Sequence, residues 1–280
     1  MNLLPPSQIK ELLASHGAVP SKRLGQNFLI DKNALAKVVE AANLQPTDVI
    51  LEIGPGIGTL TQALAQKVRK VIAIEKDAGM VDILGKTLKD FKNIEIVQGD
   101  ALKLDPSPYT LAPYKVIANI PYYITSPLIR KFLETPRQPE HMVLMLQKEV
   151  AQRIVARPPD MSILAVSVQF YAEAKIVSYV SKGCFWPVPN VDSAIIAIRS
   201  RNDAKPSGKI NTDLFFRIVR AGFSQPRKQL GGNLVKELKG NKKGITEWLL
   251  ANNIQPTQRA ETLSLKDWQN LTKNSPLGEN

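Results

Sequence analysis

Asn119-Ile120-Pro121-Tyr122-Tyr123 sets an amide, a stiffened backbone carbonyl and an aromatic ring side by side at the end of an apolar run, Lys115-Val116-Ile117-Ala118. That succession suits alkylation of an exocyclic amine. The lone pair of such an amine, adenine N6 for instance, is delocalised into its ring, so the group is a poor nucleophile. Acceptors on both of its N–H bonds, the Asn119 side-chain oxygen and the Ile120 carbonyl, orient it and favour localisation of the lone pair. Pro121 holds Ile120 extended and so fixes where that carbonyl points. Tyr122 offers a flat face to a base. A plain proline turn with exposed tyrosines would use the same residues. The strand-end position favours the chemical reading.

Upstream, Val49-Ile50-Leu51-Glu52-Ile53 runs into Gly54-Pro55-Gly56-Ile57-Gly58, and helical spacing begins at Thr59. Glycines admit a ligand close to backbone, and a helix N-terminus offers unpaired N–H groups to an anion. The spacing is G-x-G-x-G and not the G-x-G-x-x-G of a dinucleotide turn. Glu75 ends the next apolar run, and Asp100 follows the one after it. Carboxylates in those places meet ribose hydroxyls and an adenine amino group. Either acid alone caps a helix as readily as it binds anything. At consecutive strand ends they indicate an adenosine-containing cofactor, without separating S-adenosylmethionine from NAD. A nicotinamide-dependent oxidoreductase would use the glycine turn and Glu75 but leave Asn119–Tyr122 without a task.

These residues need a scaffold that brings strand ends together. Apolar runs at 49–53, 71–75, 94–98, 115–118 and 142–146 alternate with helical patterns, which predicts an α/β doubly wound parallel sheet. Two further runs, 164–171 and 194–198, are expected to close it as an antiparallel hairpin. The stretch 201–209 is polar and broken by Pro206 and Gly208, as a linker is. The expected organisation is a catalytic domain over 1–200 and a small helical domain over 201–280. Helices are predicted there at 212–221, 229–238, 245–252 and 265–272.

Charge indicates the partner. The 280 residues carry 37 Lys and Arg against 25 Asp and Glu, a net +12, which favours a polyanion. From Arg201 onward, 14 basic and 7 acidic residues leave a net +7. Leu and Trp at helical spacing make that segment a folded domain docking on phosphates and not a loose basic arm. Lys22, Arg23, Arg220, Arg227 and Lys228 are the expected contacts. No apolar run reaches the roughly 18 residues that cross a bilayer, and Met1–Pro6 lacks the features of a secretory signal. Cys184 is the single cysteine, which rules out an internal disulfide and a Cys-rich zinc site. His16 and His141 stand in no ligand-spaced cluster, so no metal is expected. A cytoplasmic location without membrane association follows.

Four segments in order, Gly25-Gln26-Asn27-Phe28-Leu29, Leu51–Gly58, Gly99-Asp100-Ala101 and Asn119–Tyr122, resemble the ribosomal RNA adenine N6,N6-dimethyltransferases, in particular the bacterial small-subunit (16S) KsgA type. The resemblance extends over most of the chain, including Val188–Ala194 and Phe223–Lys228. It implies a Rossmann-like S-adenosylmethionine-dependent methyltransferase domain followed by a small all-helical RNA-binding domain. The implied reaction dimethylates two adjacent adenosines in the 3′-terminal hairpin of 16S rRNA, within an immature small subunit, and releases S-adenosylhomocysteine. Carried onto this chain, Asn27 and Leu29 close over the cofactor, and Gly54 and Gly56 flank its methionine portion. Glu75 takes the ribose and Asp100 the adenine. Asn119 touches both cofactor and target amine, and Phe185 is the second aromatic against the flipped base. The expected enzyme works as a monomer. Two other readings stay open: a large-subunit (23S) rRNA dimethyltransferase of the macrolide-resistance type, and a non-catalytic RNA-binding assembly factor.

Overall fold

The computed structural model describes residues 5–109, 113–201 and 210–276. By packing, the chain forms two units, one from Met1–Ala151 with Ala174–Ser200 and one from Gln152–Glu173 with Arg201–Asn280. Along the chain, α1 (Pro6–Ala14), β1 (Phe28–Leu29), α2 (Lys32–Ala41), β2 (Val49–Ile53), α3 (Thr59–Ala65) and β3 (Lys70–Glu75) come first. They are followed by α4 (Ala78–Thr87), β4 (Ile94–Gln98), β5 (Lys115–Asn119), α5 (Thr125–Glu134) and β6 (His141–Gln147). Then come α6 (Lys148–Val155), α7 (Ile163–Tyr171), β7 (Ala172–Val180), β8 (Phe185–Trp186) and β9 (Ser193–Ser200).

The five apolar runs form parallel strands because helices cover both faces of a sheet built this way, so nothing along the strand need be polar. All five residues of β2 are buried, as are five of the six in β3. The seven-stranded order is β4-β3-β2-β5-β6-β9-β7, with β9 antiparallel to β6. From β2 the chain steps outward to β3 and β4, then returns to place β5 on the other side of β2. That reversal opens a crevice beyond the carboxyl ends of β2 and β5. At the opposite ends of the strands, buried Lys115 donates to Asp48 Oδ2 at 2.7 Å and to the Asn43 carbonyl at 2.8 Å. A second small sheet pairs β1 with β8, Leu29 opposite Phe185.

The run 164–171, expected as a strand, is helical. Its middle, Val166-Ser167-Val168-Gln169-Phe170, alternates apolar and polar as a strand does, and its two polar residues share no helical face. Capping tips the balance: the Ser162 hydroxyl accepts the Ala165 N–H at 3.1 Å. The strand that accompanies β9 is instead β7, which alternates exposed and covered residues along most of its length.

The second unit is helical. After α7 come α8 (Thr212–Gly222), α9 (Leu230–Leu238), α10 (Lys242–Ala251) and α11 (Leu265–Lys273), close to the bounds predicted from spacing. Phe170 of α7 stacks on Phe215 of α8, ring centroids 4.2 Å apart, and both join Trp248, Trp268 and Leu271 in one core. This is why Gln152–Glu173 groups with the C-terminal helices although the sequence reading keeps it with residues 1–200. Gly222 lets α8 meet α11, since a Cβ there would lie 2.4 Å from the Trp268 ring. Of the expected linker, residues 202–209 lie outside the described residues.

Candidate active site

At the crevice, β2 ends in a turn whose glycines Gly54 and Gly56 sit at φ +68° and +58°, conformations that strain residues with a Cβ. Space is short there as well. A Cβ on Gly56 would come within 3.1 Å of the Phe28 ring, and one on Gly54 within 3.7 Å of Pro121. The turn is thus closed in between the 25–29 strip and the Asn119–Tyr122 turn.

Three carboxylates line this cavity: Glu52, Glu75 and Asp100. Glu75 Oε1 accepts the Lys76 and Asp77 N–H groups at 2.8 and 2.9 Å, and Oε2 accepts the Gly56 N–H at 3.1 Å. A carboxylate offers about four acceptor sites, so one on Oε2 is left for a ligand. Burial pushes the Glu75 carboxyl above its ordinary range, and these N–H groups pull partly back. Asp100 accepts Lys76 Nζ at 2.9 Å and the Leu102 N–H at 3.0 Å. The Lys76 hydrogen bond, with the Leu102 N–H, holds its carboxyl below the usual range. Glu52 is 1% exposed, and burial pushes its carboxyl up to about 8.

Asn119 ends β5. Its Nδ2 donates to the Asn27 carbonyl at 3.2 Å, so the acceptor oxygen is turned away from that strip. The Asn27 side chain in turn donates to the Gly25 carbonyl at 3.1 Å. The Ile120 N–H donates to the Met145 carbonyl at 3.0 Å, which ties the turn to β6. Pro121, at φ −55° and ψ 129°, leads into a single 3₁₀ turn at Tyr122–Ile124. The Tyr122 hydroxyl lies 2.9 Å from Ser193 Oγ, an anchor that sets the ring plane while leaving the residue half-buried.

Asn27, Leu29, Gly54, Gly56, Glu75, Asp100, Asn119, Ile120, Pro121, Tyr122 and Phe185 thus line a single cavity, although 158 positions separate the first from the last in the sequence. Phe185 is only 1% exposed and packs with Leu29, Val180 and Ile195, presenting at most a ring edge or face at the cavity wall. The expected phosphate contacts lie elsewhere. In the first unit, Lys22 and Arg23 are exposed on the loop before the 25–29 strip. In the second, Arg220 is exposed on the last turn of α8, and Arg227 and Lys228 occupy the exposed turn before α9. Buried Asn233 pins that turn by donating to the Gly222 and Gln225 carbonyls at 2.8 and 3.0 Å.

Among the other cavity residues, Glu52 and Gln26 are two to which the sequence reading gives no role. A signal for Glu52 was available: a single acid inside the apolar run Val-Ile-Leu-Glu-Ile has to be buried, and a buried acid needs a reason. Gln26 carries no such signal, because its partner lies 51 residues away.

A doubly wound sheet with this order and a cavity at its switch point defines a Rossmann-like methyltransferase, and solved structures of that class share the fold. A dimethyladenosine transferase from Plasmodium falciparum superposes with a TM-score of 0.74 at 29% identity, over 87% of this chain and 95% of that one. The 23S rRNA methyltransferase ErmE gives 0.72 at 29% identity, over 89% and 99%. The model of the ribosomal RNA adenine dimethylase family matches residues 20–275, and the chain belongs to that family. It is 42% identical to the ribosomal RNA small subunit methyltransferase A of Dehalococcoides mccartyi (strain CBDB1), over 95% of this chain and 91% of the relative. To the protein of the same name from Geobacillus kaustophilus (strain HTA426) it is 41% identical, over 97% and 96%. Among the described residues, no helix is long and apolar enough to cross a membrane.

Proposed function

We propose that this enzyme dimethylates the N6 amines of two adjacent adenosines in the 3′-terminal hairpin of 16S rRNA, acting in the cytoplasm as a monomer on immature small subunits. The observation that carries the chemistry is the Asn119 amide. With Nδ2 committed to the Asn27 carbonyl, Oδ1 is the acceptor left to receive an N–H of the target amine. The Ile120 carbonyl takes the other N–H, since a residue before proline is restricted to extended backbone. The target base leaves its stack to reach this turn and lies against Tyr122, with Phe185 behind. Positioning and preorganised acceptors then do most of the catalytic work. No strong base is needed, because the methylated ammonium is acidic and sheds its proton after transfer.

The residues present fit S-adenosylmethionine. Glu75 and Asp100 give the cavity acidic walls, and Glu52, which burial keeps protonated, lines it as a neutral acid with one oxygen buried and without a partner among the described residues. Such a lining suits a cation better than a pyrophosphate. Asn27 and Leu29 would hold the cofactor from one side, with Gly54 and Gly56 beside its methionine portion, Glu75 at the ribose and Asp100 at the adenine. S-adenosylmethionine supplies a methyl group on a positively charged sulfur, poised for direct displacement.

The small-subunit substrate is supported by the relatives named above, which align along nearly their whole length. Incubating the purified protein with radiolabelled S-adenosylmethionine and unmethylated small or large subunits tests it. Label in two adjacent adenosines of 16S rRNA is expected. Label confined to 23S rRNA would overturn the substrate, and RNA binding without label would overturn the chemistry.

A further inference from the structure

We propose that Gln26 is a positioning residue for methyl transfer, a clasp that holds the Asn27 backbone where its carbonyl orients the Asn119 amide. The clasp rests on the role given to Asn119 above. Gln26 uses both ends of its side chain. Its Oε1 accepts the Ser21 N–H at 2.7 Å, and its Nε2 donates to Asp77 Oδ2 at 2.9 Å. The Gln26 backbone N–H donates to the Ser21 carbonyl at 3.1 Å, so the loop 21–26 closes on itself around this one residue.

Asp77 is a fixed anchor. Its Oδ1 accepts the Gly79 N–H at 2.9 Å, capping α4, and its backbone N–H donates to Glu75 Oε1 at 2.9 Å. Through Gln26, the N-terminal strip is therefore fastened to the turn that carries Glu75. The acceptor is charged, which makes the Gln26–Asp77 bond stronger than a neutral pair.

The next residue transmits the constraint. The Asn27 carbonyl accepts Asn119 Nδ2 across 92 positions of sequence. A planar amide held through its nitrogen has its oxygen direction set as well. Gly25, at φ +62°, lies against Pro121, with an added Cβ only 3.5 Å from the proline ring. Strip and turn therefore register against each other at two neighbouring points. Loosening Gln26 lets the Asn27 carbonyl move, and the Asn119 oxygen then loses its aim without either residue being altered. A displacement of about 1 Å near a reacting centre costs on the order of 100-fold in rate.

The pair allows a swap that conserves charge and hydrogen bonds. In Gln26→Glu, two carboxylates face each other and the bond is lost. Adding Asp77→Asn restores it reversed: the new amide donates to the new carboxylate, whose other oxygen still accepts the Ser21 N–H. The amide oxygen introduced at position 77 still accepts the Gly79 N–H and caps α4. The test measures single-turnover methylation of small subunits at saturating S-adenosylmethionine, with melting temperature as the check on folding. Gln26→Glu is expected to lose about 10- to 100-fold in rate with its melting temperature nearly unchanged, and Gln26→Glu/Asp77→Asn to recover most of it. Wild-type turnover in Gln26→Glu would overturn the clasp. So would a loss seen only below saturating cofactor, which would make Gln26 a cofactor ligand, and so would a folded double variant as slow as the single one. Asn119→Ala run alongside separates the two ideas. Near wild-type turnover there overturns the reading of the turn itself, whereas an inactive Asn119→Ala beside a fully active Gln26→Glu overturns only the clasp.

Discussion

Glu52→Gln should change how stability depends on pH, and in a direction opposite to that of most carboxylates. Glu52 sits in the middle of the sheet, paired between Ala73 of β3 and Ile117 of β5, and is 1% exposed. Burial raises its pKa from 4.5 to about 8, and the neighbouring Glu75 adds in the same sense. Below about pH 4.5 the side chain is protonated folded or unfolded, and its full contribution to stability is present. Between 4.5 and 8 the unfolded chain releases the proton while the folded chain keeps it, so stability falls as pH rises. Above about 8 the loss is complete. At about 1.4 kcal/mol per unit, this window holds on the order of 4–5 kcal/mol, a large share of a domain's ordinary stability. His141 acts the other way, since burial lowers its pKa and stability gained from it rises with pH toward 6.5. Subtracting Glu52→Gln from wild type cancels that contribution, because His141 is common to both. Hydrogen exchange of the β2 and β5 amides reads the first unit alone. The difference in opening free energy should decline steadily from about pH 5 to 8. A difference that stays flat across that range would show Glu52 ionised at neutral pH and refute the argument.

Asn119→Ala should leave the fold and RNA affinity intact and slow methyl transfer by about 100-fold or more, since it removes a preorganised acceptor; single-turnover kinetics check this. Glu75→Gln loses the acceptor proposed for the ribose and sets an amide NH₂ against the Gly56 N–H. It should weaken S-adenosylmethionine binding by about 1.5–3 kcal/mol, with saturating cofactor restoring much of the rate in steady-state assays. Replacing Arg227 and Lys228 with Ala should lower small-subunit affinity and reduce the slope of log affinity against log salt by about one for each phosphate no longer neutralised. Cofactor affinity, measured by calorimetry, should be unchanged in that double variant because neither residue lines the cavity.

Where the sequence reading of the elements failed, it failed where pattern is ambiguous or too short. The run 164–171 has no polar face to mark a helical period, and its capping serine, Ser162, lies outside it. Strands β1 and β8 are two residues each, below any periodic signal, yet their pairing brings Leu29 beside Phe185. The division of the chain shows the same limit. The polar stretch after Arg201 is visible as a composition change, whereas the grouping of α7 with the C-terminal helices depends on Phe170 finding Phe215.

Strand ends, glycine turns and the Asn119–Tyr122 succession were determined by the sequence itself, because each rests on chemistry within a few residues: a Cβ that is absent, a φ that proline restricts, an apolar run of strand length. Even the placing of Glu75 and Asp100 at the crevice could be read, since their positions follow from where the strands stop. Only the tertiary structure decided which groups answer one another. Gln26 reaches Asp77 over 51 positions and Asn119 reaches Asn27 over 92. Those choices depend on how the chain returns to the crevice between β2 and β5, and no local pattern encodes that return. The state of Glu52 belongs there too. An acid in an apolar run announces burial, but its pKa of about 8 comes from the strands and helices that exclude water around it, and from a second carboxylate 23 residues further on.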